Sequence, residues 1–194
     1  ILLAVAQVFH VLIDGIKHAN KQFRELEDVG KLQNTLRTSF EFADQLAGAF
    51  RNAGVATKDL NKALETLSYN IATGLGDPAN DVTTVFRGLG IATTDAEGRL
   101  RNMADILPLL ADRLKGYADD GRRAQLMTLL FGKELGEKLL PILKNGSFHL
   151  HNLQVAAGQT FTEEHLQRIK DHKETTEQLD KLYKALVGTV SKGV

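Results

Sequence analysis

The sequence predicts an all-α protein: a compact multi-helix domain with a small β-hairpin near 91–101 and a long C-terminal helix. Three observations carry that prediction. Apolar residues recur at spacings of three and four along most of the 194 residues, which places them on one face of a helix. Breakers are scarce, with three prolines in the chain, while the helix formers Leu, Ala, Lys and Glu are abundant. Glycines fall where the apolar stripes stop, the position of a left-handed C-terminal cap.

Taken in order, the first helix covers 2–29, apolar at Leu2, Val5, Phe9, Leu12 and Ile16 and broken by Gly30. A second stripe runs Leu32, Leu36, Phe40, Ala43, Ala47, Phe50 and ends at Gly54. Thr57 or Asp59 can cap a third helix, with Leu60, Leu64, Leu67 and Ile71 on its face. Asp77-Pro78 reads as the start of a fourth, aspartate as N-cap and proline at the first helical position. The helical period stops at Gly88-Leu89-Gly90, and Asp95-Ala96-Glu97-Gly98 reads as a turn between short extended arms. Met103, Ile106, Leu107, Leu110 and Leu114 restore the helix, with Pro108 either delaying its start or kinking it. Shorter helices follow over 119–131, closed by Gly132, and around Leu135, Leu139, Ile142 and Leu143, closed by Asn145-Gly146. The stretch 147–160 has no clear pattern. Thr162, followed by Glu163 and Glu164, caps a last helix expected to run to about residue 188, polar throughout Lys170–Gln178. The expected core contains Leu64, Leu67, Phe86, Leu110, Met127, Leu130, Phe131 and Leu139.

These elements divide into an N-terminal apolar helix over 1–29, a candidate linker to a longer parent chain, a compact helical domain over 30–160, and the long helix over 161–194. The chain begins at Ile1 and reads as a piece of something longer.

Composition removes several functions. Lys and Arg number 24, as do Asp and Glu, for a formal net charge of zero, which argues against a chain whose work is holding nucleic acid. Cysteine is absent, so disulfides, thiolate metal sites and cysteine nucleophiles are excluded. No run reaches the roughly 18 apolar residues a membrane-spanning helix needs. The apolar stretch Ile1–Ile13 lacks the basic flank and cleavage site of a signal peptide.

Catalytic and metal patterns are equally thin. His149 and His151 would share a face only in a strand, and no H-e-x-x-H spacing occurs. Gly74-Leu75-Gly76 and Gly88-Leu89-Gly90 lack the third glycine or the lysine of a phosphate loop. Asp119-Asp120 and Glu163-Glu164 sit at helix starts, where carboxylates meet free N–H groups. No serine stands in a nucleophile elbow. The residues thus give no catalytic, cofactor or metal site.

One long segment carries a resemblance. Phe86–Leu114 reads FRGLGIATTDAEGRLRNMADILPLLADRL, and Asp119–Gly146 reads DDGRRAQLMTLLFGKELGEKLLPILKNG. This resembles the tail tape measure (tail length) proteins of long-tailed bacteriophages and prophages. Their turn of the kind LGI…D-A-x-G-x-L is matched by Leu89, Gly90, Ile91, Asp95, Ala96, Gly98 and Leu100. Their helix of the LLxLADRL kind is matched by Leu109–Leu114, including Leu110. The later pieces are matched by Arg123, Met127, Leu130, Phe131 and Gly132, then Leu139, Leu140, Pro141, Leu143 and Gly146. The similarity covers roughly 30–190 and is densest over about 53–146. Lys133-Glu134 departs from the basic-Ser pair that usually follows Phe-Gly.

The resemblance implies a structural, non-enzymatic domain that takes part in tail assembly, length determination and DNA ejection, with no cofactor. It implies residence in the phage tail lumen of the virion, and in the host cytoplasm during assembly. Tail tube proteins, tail tip or baseplate proteins, tail assembly chaperones and further copies of the same chain are the implied partners, without specific nucleic acid. Membrane contact through the N-terminal apolar stretch is a further expectation. The rival readings are a phage-tail peptidoglycan hydrolase and a membrane-active segment.

Overall fold

The computed structural model describes residues 2–77, 79–165, 167–168, 181–182 and 184. Among the described residues the helices are α1 (Leu2–Leu36), α2 (Phe40–Asn52), α3 (Thr57–Gly74), α4 (Asp81–Gly88), α5 (Met103–Gly116), α6 (Asp120–Phe131), α7 (Lys133–Leu143) and α8 (Ser147–Ala157), with no strand. The chain forms two units, Asp28–Thr160 and Ile1–Glu27 taken with Phe161–Val194.

In the unit that holds the termini, Thr162 does cap a helical turn. Its Oγ1 accepts from the His165 N–H at 3.2 Å, and His165 Nδ1 accepts from the Thr162 N–H at 3.3 Å. Most of the long helix expected over 162–188, its polar centre included, lies outside the described residues.

The larger unit begins within α1, and here the first correction falls. Gly30 does not break the helix; the interruption comes at Arg37–Ser39. A glycine inside a helix costs roughly 1 kcal/mol, which burial of Val29, Leu32 and Leu36 on the same helix readily offsets. The real stop is built by hydrogen bonds. The Thr38 N–H reaches back to the Gln33 carbonyl at 3.3 Å with Arg37 at φ 52°, a left-handed cap occupied by arginine. Ser39 then starts α2, its Oγ accepting from the Phe42 N–H at 3.2 Å.

Two further helix starts differ from the sequence expectation. Ala56, with no side-chain bond, occupies the N-cap of α3, and Thr57 is buried as its first residue. The fourth helix starts after Asn80, not at Asp77-Pro78: Asn80 Oδ1 accepts from the N–H groups of Val82 at 2.9 Å and Thr83 at 3.3 Å. Asp77 instead holds the turn before it, bonding the Ala79 N–H at 2.9 Å. A second tie favours the later start, because Thr83 Oγ1 donates to the Gly74 carbonyl at the end of α3 at 2.8 Å.

The hairpin expected over 91–101 contracts to one antiparallel bridge, Thr94 to Leu100. Its arms are cut short from both sides. The Ile91 N–H still bonds back to Phe86, and Asn102 is already the N-cap of α5. Helix α5 does not start late: it begins at Met103 and runs through Pro108.

The core of this unit draws side chains from every helix, α1 to α8. Leu64, Leu67, Phe86, Leu110, Met127, Leu130, Phe131 and Leu139 are all buried. Gly132, at φ 79°, serves as C-cap of α6 and N-cap of α7 at once, so the two helices fold back on each other with no linker. Asp119 caps α6 through the Gly121 N–H at 2.8 Å. Helix α8 lies on α2: the Cβ missing from Gly48 would stand 2.8 Å from Ala157 Cβ. Buried Asp44 of α2 accepts from the Thr160 N–H at 2.5 Å and clamps the chain that follows α8. Lys138 joins α7 to α3, donating to Asp59 Oδ2 and Glu134 Oε1 at 3.0 Å each. Those bonds raise its pKa, Asp59 contributing most.

Candidate functional site

The residues of the resemblance fall into two structural kinds, and all lie in the unit Asp28–Thr160. Leu110, Phe131 and Leu139 are core residues of α5, α6 and α7. Gly90, Gly98, Gly132 and Gly146 have φ of 65°, 78°, 79° and 90°, backbone that side chains other than glycine enter at a cost. Each sits where a helix or turn reverses the chain. Gly146 also abuts α5, since an added Cβ would stand 2.9 Å from Lys115 Cδ. Pro141 is exposed within α7, its carbonyl accepting from Asn145 Nδ2 at 2.9 Å. Arg123 bridges the α5–α6 corner: its Nε donates to the Tyr117 carbonyl at 2.7 Å, and its Nη2 donates to the same oxygen.

Asp95 organises the turn that holds Gly98 and Leu100. Its Oδ1 accepts from the N–H groups of Arg99 at 2.8 Å and Glu97 at 3.0 Å, and its Oδ2 from Arg99 Nε at 2.8 Å. Leu100, half-buried, closes the bridge to Thr94. The bonds to the carboxylate, led by the Arg99 amide, lower the Asp95 pKa below its ordinary 3.8. A depressed carboxylate pKa contributes stability above the unfolded value, and that contribution is lost as pH falls through the folded value. Asp95→Ala should therefore speed hydrogen exchange at the Arg99 amide at neutral pH. The gap between variant and parent should close below about pH 3.8. Equal exchange at pH 7 would mean that the carboxylate does not hold the turn.

Among the described residues no three His, Asp or Glu side chains stand where they could share a metal ion. His149 and His151 lie on α8, where a separation of two residues points them to different sides. His172 lies outside the described residues.

What the unit offers instead is surface. A groove of about 420 Å³ opens between α2, α5 and α8, lined by Phe42, Leu46, Leu107, Pro108, Phe148 and Gln154 among others. Phe148 is 73% exposed and Val155 64%, seven residues apart and so on one face of α8. Gln154 is buried, and its Nε2 makes no hydrogen bond. Such a groove can cover an apolar side chain, and Ser147 and His151 bring polar groups to its lining.

Helix α8 was the element without a sequence signal, and the structure explains why. Its N-terminal cap comes from another helix, Asp112 of α5, which accepts from the Ser147 N–H and Ser147 Oγ at 2.8 Å each. A cap drawn from 35 residues away leaves no local pattern. The Ser147 hydroxyl and the left-handed Gly158 at its end, φ 62°, are the only local cues. Among the described residues no helix is long and apolar enough to cross a membrane. No protein-family model, curated protein or solved structure matches the chain.

Proposed function

We propose that the chain is a structural and interaction domain of a phage tail tape measure protein, acting in tail assembly and length determination rather than in catalysis. The observation that carries this reading is the co-linear series from Leu89 to Gly146. Most of its members cap helices, reverse the chain or fill the core, Pro141 on the exposed side of α7 being the exception. A motif series that specifies packing and turns suits a protein whose task is shape and contact. An α-helix rises a fixed 1.5 Å or so per residue, which suits a ruler. A folded unit of short helices suits a plug or docking module within that ruler. A module that works by contact needs exposed apolar side chains, and Phe148 and Val155 supply them.

Tail tube, tail tip or baseplate proteins and assembly chaperones are the proposed partners, with further copies of the chain beside it in the tail lumen. Purified tails, digested and analysed by mass spectrometry, test this. Peptides from 28–160 should be recovered at several copies per tail. Their absence from tails, with the chain abundant elsewhere in the lysate, would overturn the reading.

A further inference from the structure

We propose that a second, polar cleft on this unit binds an acidic segment of a partner protein, whose carboxylates pair with Arg37 and Arg101. The cleft, about 350 Å³, is walled by Asn34 and Arg37 at the end of α1, Glu65 and Tyr69 on α3, and Arg101 and Asn102 at the entry to α5. Three elements distant in sequence thus bring two arginines to the wall of one concavity. The inference goes beyond the tail reading and stands whether or not the chain belongs to a tail.

The two arginines are unspent. Arg51, Arg99, Arg122, Arg123 and Arg168 each meet a carboxylate. Among the described residues Arg37 and Arg101 do not, nor do Arg24, Arg87 and Arg113, but only Arg37 and Arg101 line the cleft, where Glu65 stands with them. Arg101 gives one Nη1 hydrogen bond to the Ala92 carbonyl at 3.4 Å, which leaves most of its donor fork available. Asn102 occupies the N-cap position of α5 without bonding a helix amide through its side chain, so that amide is available too.

Arg37 adds a separate observation. It is the single non-glycine residue at positive φ among the described residues. It occupies the cap position where glycine is least strained. Strain of this kind clusters at ligand clamps and switch regions, and the Arg37 side chain stands at the cleft.

Charge and shape select the ligand class. The planar guanidinium fork matches a carboxylate with two parallel hydrogen bonds. Tyr69, 69% exposed on the cleft wall, offers a ring face to an apolar neighbour of those carboxylates. Glu65 stands four residues before Tyr69 on the same helix face. Its carboxylate can accept from the backbone N–H groups of a peptide, which a sugar–phosphate chain lacks, and that contact offsets its repulsion of the peptide's own carboxylates. Nucleic-acid binding requires a longer run of cations than this pair.

Fluorescence anisotropy with the whole chain tests the proposal. The probe is a labelled peptide carrying two Glu-Glu pairs around a leucine; its all-lysine counterpart, a short oligothymidine and inorganic phosphate are the comparisons. The acidic peptide should bind saturably and more weakly at high salt. Arg101→Ala should weaken it about tenfold, the loss of one charge-assisted pair. Arg37→Gly should weaken it by a similar factor while the melting temperature holds or rises, because glycine accepts the positive φ. That variant separates loss of binding from loss of fold. Arg113→Ala, a cation outside the cleft, should change nothing. Three results would each overturn the proposal: no binding of the acidic peptide, binding by both cleft variants as tight as by the parent, or tighter arginine-dependent binding of oligothymidine. Full displacement of the peptide by millimolar phosphate would also overturn it, by showing a simple anion site.

Discussion

Replacing Phe131 by alanine should lower the stability of the unit by about 3–5 kcal/mol, the range for truncating a buried aromatic ring. The ring is 1% exposed although it belongs to the last residue of α6. Gly132, at φ 79°, turns the chain so sharply that the end of α6 stays inside while α7 starts at once. Losing the ring therefore removes the filling of the α6–α7 corner as well as its own buried area. Native domains are stable by about 5–15 kcal/mol, so a large part of the margin goes. Thermal melting should show a drop on the order of 10 °C or more. An unchanged melting temperature would mean that the ring is not in the core but on a contact surface.

Gly136→Ala gives the second large effect, and its sign discriminates. Helix propensity alone predicts a gain of about 1 kcal/mol, since alanine is the better residue inside a helix. Packing predicts the reverse. A Cβ on Gly136 would stand 2.6 Å from the Met127 carbonyl oxygen and 2.7 Å from its carbon, backbone atoms that no rotamer change can move. Helices α6 and α7 would have to part, a net loss of about 1–3 kcal/mol. Gly88→Ala is the control, because the Cβ there meets nothing within 4 Å and should be neutral or mildly stabilising. If chemical denaturation found Gly136→Ala more stable than the parent, the close crossing of α6 and α7 would be wrong.

The Phe131-Gly132 corner also marks what could be read beforehand. Phe131-Gly132 was legible because both signals are local: an apolar stripe ends in a buried ring, and the next residue is the one that tolerates a left-handed turn. The same logic succeeded at Gly54, whose φ is 84°. It failed where a local signal met a stronger competitor. Gly30 has the composition of a stop, yet the buried side chains flanking it carry α1 onward to Leu36. Asp77-Pro78 is a sound helix start, but Asn80 caps better once Thr83 bonds to Gly74. The arms of the hairpin were too short to outlast the helices on either side.

Sites were less legible than elements. Of the ten motif residues reached through a resemblance, nine are caps, turns and core, and Pro141 is exposed within α7. The two concavities are products of tertiary structure. Arg37, Tyr69 and Arg101 meet in one cleft because α1, α3 and the approach to α5 converge, and no spacing along the chain announces that. The apolar groove depends on α8, whose cap is borrowed from Asp112.

The central proposal, that this unit is a docking module of a tail ruler, is tested most directly by excising codons 28–160 in frame from the parent gene. Tails are then counted and measured by electron microscopy, with immunoblotting to show that the shortened protein accumulates. A docking module should be indispensable, so the excision should abolish tails or leave tube assembly uninitiated. Tails of normal number and normal length would contradict the proposal.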